Sequence, residues 1–144
     1  MNIATTVPAS TIVSTTTTAP STTITVSSQP ETAVKGDEFC VAFLAAMAAE
    51  NTIDLDNGTP ESLEASTAAA LEAVKAAQTI APKDFHDVAT AFVEFLSKFQ
   101  SALADNRYDR VAFASSTAGQ AILNDPAGGT TFNAIDAYLG AKCL

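Results

Sequence analysis

The chain holds a single histidine, His86, and it lies between Asp84 and Asp87. A Ser-His-Asp or Cys-His catalytic unit would have to use it. Asp84, His86 and Asp87 are also metal-ligand types, but a helix turns each successive residue by about 100°, so His86 and Asp87 diverge rather than share an ion. A simpler role is available. Asp84 and Asp87 complement the positive end of a helix begun by Pro82, and His86 stays exposed on its polar face. No catalytic, metal or cofactor-binding residue is assigned on this basis. An enzyme or metal-dependent domain using His86 and nearby carboxylates is the alternative.

Other constellations yield less. The loop Asp54-Leu55-Asp56-Asn57-Gly58 has the oxygen-rich look of a calcium site, yet an EF-hand needs ligands at alternate positions and Gly at the sixth. Counting from Asp54 puts Thr59 there, and aligning Gly58 there puts Ile53 and Leu55 at ligand positions. Neither register works, which leaves only a weak calcium site outside that motif. Asn57-Gly58-Thr59 matches an N-glycosylation sequon and equally marks a turn. Gly128-Gly129-Thr130-Thr131 before a helix could cradle an anion, but it lacks the Lys and the spacing of a phosphate-binding loop. Ser115 and Ser116 lack the flanking glycines of a nucleophile elbow. One His and two Met argue against haem. Carboxylate pairs for glycoside chemistry depend on a separation in space that spacing along the chain does not give.

Cys40 and Cys143 are the one pair whose positions point to a bond. Cys40 shares a helical stripe with Phe43, Leu44 and Met47, and Cys143 follows Leu139 by one turn, so both face the core. A Cys40–Cys143 disulfide would close a loop of about a hundred residues and stabilise by up to ~4.7 kcal/mol through chain entropy. The competing reading is two buried, reduced thiols.

The elements that position these residues are helical. From Asp37 onward apolar residues recur at three- and four-residue spacing, predicting an all-α, up-and-down bundle of four to five helices. The first helix runs from about Asp37 to Glu50. The second starts with Thr59 as cap and Pro60 at its first position, and presents Leu63, Thr67, Ala70, Leu71, Val74 and Ala77. The third and central one is expected from Pro82 to about Ala104, with Phe85, Val88, Ala89, Phe92, Phe95, Leu96, Phe99 and Leu103 inward and a Glu94–Lys98 pair outward. The fourth spans about Arg107–Leu123 with a break near Ser116. In the last, Thr131 caps a helix holding Phe132, Ile135 and Leu139.

Residues 1–36 differ in kind. Threonine and serine dominate, interrupted by Pro8, Pro20 and Pro30, and too few large apolar side chains are present to offset the entropy of ordering. This predicts a disordered stalk, of the composition that accepts O-glycosylation. The domain at 37–144 carries all of the net charge of −9, which repels phosphate backbones and excludes nucleic acid as a partner. The longest apolar run, Phe39 to Ala49, is eleven residues, about half of what a membrane span needs. Nor does the segment from Met1 have the basic start and apolar stretch of a signal peptide, so any export signal or surface tether is expected upstream of Asn2.

A Thr-rich segment, then Asp37-Glu38-Phe39-Cys40, Ala81-Pro82, and a closing Ala137-Tyr138-Leu139 through Cys143 resemble uncharacterised exported or lipid-anchored small helical proteins of actinobacteria. The resemblance implies an extracytoplasmic location, secreted or surface-anchored, and carries no functional residues. With the stalk and the disulfide it leads to the expected function: a non-enzymatic module binding a protein, peptide or small ligand between helices. A structural cell-envelope protein is a further alternative.

Overall fold

In the computed structural model the described residues are 37–144, and they form six helical segments with no strand. The stalk assigned to residues 1–36 lies outside the described residues. The all-helical bundle and the cysteine pairing are both found.

Every helix except α3 begins where a side chain satisfies free backbone N–H groups. For α1, Glu38–Glu50, the Asp37 carboxylate accepts from the Cys40 N–H at 2.8 Å. For α2, Pro60–Thr79, the Thr59 hydroxyl accepts from the Ser62 N–H at 3.2 Å with Pro60 in the first turn. All six residues expected on its inner face are buried. The break expected near Ser116 divides the fourth segment into α4, Arg110–Ser115, and α5, Thr117–Leu123. Ser116 serves both sides of it: Oγ donates to the Phe113 carbonyl at 2.8 Å and accepts from the Gly119 N–H at 2.9 Å. Gly119 permits this fold-back, since a Cβ there would stand 1.9 Å from the Phe113 carbonyl oxygen.

Two helix starts differ from expectation. The central helix α3 is His86–Asp105, so Pro82 does not begin it. The Phe85 N–H closes a turn onto the Pro82 carbonyl at 2.9 Å, and this turn drives the Phe85 ring into the core at 1% exposure. Packing of that ring, rather than the proline, sets the boundary. The last helix α6 is Pro126–Lys142, capped by Asp125 rather than by Thr131. Asp125 caps it by accepting from the Ala127 N–H at 2.9 Å, and Pro126 follows with its φ preset for a helix. Asp-Pro outweighs the helix-weakening glycines that follow.

The packing register is written in the aromatic rings. Every phenylalanine of the chain belongs to one connected series of ring contacts: Phe39 to Phe43 (5.4 Å between centroids), Phe43 to Phe85 and Phe92 (5.1 and 6.2 Å), and Phe92 to Phe132 (5.3 Å). It continues from Phe132 to Phe95 (5.5 Å), Phe95 to Phe99 (6.3 Å) and Phe99 to Phe113 (5.5 Å). Going along α3, Phe85 meets Phe39 and Phe92 meets Phe43, so α1 and α3 run parallel. Going along α6, Gly128 lies over Phe95, Phe132 over Phe92, and Tyr138 over Phe85, so α6 runs antiparallel to both. This is the up-and-down order, and it brings the start of α1 to the end of α6. There Cys40 and Cys143 are bonded, with Cα atoms 5.3 Å apart.

The spine joins two cores. The larger one, among α1, α2, α3 and α6, includes Phe43, Val74, Phe85, Phe92 and Ile135. The smaller is built on Phe99, Leu103 and Phe113, with Ile53, Leu55, Tyr108 and Ile122 against it.

Candidate functional site

A groove of about 290 Å³ opens at the seam between these two cores. Four helices and one loop build it. The end of α1 supplies Glu50, and the α1–α2 loop supplies Ile53 and Leu55. From α3 come Phe95, Leu96 and Phe99, and from α5 Ile122 and Leu123. The start of α6 adds Asp125, Gly128, Gly129 and Phe132.

The glycine pair read as a loop before a helix lies inside α6 instead, so no anion-cradling loop forms there. Gly128 has a packing role: a Cβ would come within 3.0 Å of Phe95 Cε2, so its absence lets α6 close on α3. A Cβ on Gly129 would meet nothing within 4 Å, which leaves that side of the groove open.

The electrostatics are one-sided. No Lys, Arg or His lines the groove, and two carboxylates do. Asp125 is committed to capping α6. The Glu50 carboxylate has no hydrogen-bonding or ionic partner among the described residues, and partial burial pushes it above the ordinary value of 4.5. It also ends α1, where the helix dipole is negative and opposes a carboxylate. Lys98 and Glu94 lie beyond the Phe95 ring, in an adjoining hollow, and do not form the outward pair expected of them.

His86 is elsewhere. It is 56% exposed, with Nδ1 at 4.0 Å from Asp87 Oδ1, closer than divergent helical positions imply. Asp84 falls outside α3 and accepts from the Tyr138 hydroxyl at 3.2 Å, so it is turned to α6 rather than to the imidazole. Among the described residues no group of three His, Cys, Asp or Glu side chains is placed to hold a metal. In the Asp54 loop, Asp54 Oδ1 accepts from the N–H groups of Asp56 and Asn57 at 3.0 and 2.9 Å. The Asn57 hydrogen bond, first of all, holds that carboxyl below its ordinary range. Its lone pairs organise the loop itself. Asp87, expected at the helix start, is in the first turn of α3, and Glu38 and Glu61 hold the same place in α1 and α2.

Spacing did contain a signal for Glu50. Phe39, Phe43 and Ala46 are the buried stripe of α1, and Glu50 continues it at the next four-residue step. An acid on an apolar stripe at a helix C-terminus is doubly out of place.

Fold and site together define a small, acidic, disulfide-closed helical bundle with an apolar groove at its internal seam. No protein-family model matches the chain, and neither a curated protein nor a solved structure is similar to it.

Proposed function

We propose that this protein is a non-enzymatic binding module that acts outside the cytoplasm and takes a small apolar-bodied ligand in the α3–α5–α6 groove. The carrying observation is the groove's lining: apolar side chains from four elements converge on a space of about 290 Å³ that the protein leaves open. Such concave, mostly apolar sites with a few polar groups are the usual form of ligand pockets. Several features support the location. The Cys40–Cys143 bond supports it, because disulfides form and persist mainly in oxidising compartments. The Thr/Ser/Pro-rich segment has the composition of a stalk. No helix among the described residues is long and apolar enough to cross a membrane.

The test is a titration of the full chain with 1-aminonaphthalene, a small uncharged dye whose emission shifts to the blue when it is shielded from water. One equivalent should bind. In Gly129→Leu the new side chain enters open space at the groove, so dye affinity should fall at least about tenfold while melting is not lowered, leucine being the better helix former. Absent binding, or equal binding by this variant, would refute the groove as the site.

A further inference from the structure

We propose that the groove selects ligands carrying an ammonium head on an apolar body, with Glu50 as the counter-ion. This deepens the binding-module reading and rests on it. Three observations converge. Glu50 stands on the buried stripe of α1 with no cation beside it, so the protein leaves a carboxylate facing an apolar wall. The C-terminus of α1 adds the negative end of a helix dipole at the same place, which favours a cation. The rings of Phe95, Phe99 and Phe132 complete the surroundings, and aromatic faces attract ammonium groups. A free carboxylate or phosphate ligand would meet Glu50 and Asp125 with no basic side chain in the groove's lining, Lys98 standing in the adjoining hollow. The volume admits a molecule of about ten non-hydrogen atoms, taking the roughly 30 Å³ share of a water as the unit.

The experiment compares three probes of one shape on the full chain at about 0.15 M salt, where long-range charge effects are screened. They are 4-phenylbutylamine, 4-phenylbutan-1-ol and 4-phenylbutyrate, titrated by calorimetry. The amine should bind at least about tenfold tighter than the alcohol, the scale of one charge-assisted hydrogen bond, with the carboxylate weakest. In Glu50→Gln the amine and alcohol should bind within about twofold of each other, while alcohol affinity is unchanged. Asp136→Asn, an equal charge change outside the groove, should keep the full preference. Equal binding of amine and alcohol by the unaltered protein would overturn the selectivity and leave the groove standing. So would a preference that survives in Glu50→Gln or disappears in Asp136→Asn. If none of the probes binds, the groove reading fails as well.

Discussion

Removing the Cys40–Cys143 bond tests the architecture most directly. The bonded residues are 103 positions apart, and tying off such a loop removes about 16 cal/mol/K of entropy from the unfolded chain, about 4.7 kcal/mol at 25 °C. The variant should be Cys40→Ala with Cys143→Ala, because both positions are buried, at 1% and 4% exposure. Serine there would add a desolvated hydroxyl and cloud the result. A domain of this size loses about 4 °C of melting temperature per kcal/mol, so the drop should approach ~20 °C. Urea denaturation is the stronger assay. The unfolded state, no longer tied, should expand, and the dependence of stability on urea should steepen along with the fall in midpoint. Two free thiols on titrating the unreduced, unfolded protein would remove the premise. A stability loss below about 1 kcal/mol with an unchanged urea slope would refute the reasoning. It would mean that Phe39 against Tyr138, 6.2 Å between centroids, holds the two ends together without the bond.

Phe92→Ala should cost about 3–5 kcal/mol by chemical denaturation, since Phe92 is fully buried where the spine passes from α1 to α6. An unchanged midpoint would contradict its central place. Gly119→Ala should destabilise by about 2 kcal/mol or more, because its Cβ would collide with the Phe113 carbonyl and unseat the Ser116 cap. Loss of helical signal confined to this segment, followed by amide exchange in α4 and α5, would locate the damage. Glu50→Gln should melt higher than the parent at pH 7 and equally below about pH 4. A carboxyl whose folded value is raised makes stability fall as pH rises from its unfolded value through its folded one, and the amide removes that step.

Where sequence logic succeeded, one periodicity governed the outcome. The inner face of α2 and the cysteine pairing follow from three- and four-residue spacing, because burial of a helix stripe is decided along the helix itself. The break at Ser116 was legible as a run of poor helix formers. The misplaced starts of α3 and α6 show where that logic gives out. Pro82 had the right chemistry for a helix start, but the Phe85 ring needed a turn to reach Phe43, a demand set by another helix. Likewise Gly128-Gly129 looked like a loop until Phe95 supplied the reason for a helical glycine. The groove is harder still to read. It exists because α1, α3, α5 and α6 meet imperfectly at the seam of two cores, and no single stripe records that.

The acidity of the chain takes on a different meaning once the helices are placed. Asp37, Asp109 and Asp125 cap helix starts, Glu38, Glu61 and Asp87 occupy first turns, and Asp54 organises its own loop. All of these put negative charge near free N–H groups, where it stabilises. Glu50 departs from this pattern. It sits at the wrong end of a helix, against apolar side chains, with its carboxyl raised by burial. A polar residue at that step of the stripe costs stability unless something compensates. Departures from local rules of this kind concentrate at functional sites. A cation entering the groove would relieve both costs at once, by pairing with the carboxylate and by offsetting the negative end of α1. The same substitution, Glu50→Gln, should therefore raise stability and abolish amine preference, two effects with a single cause.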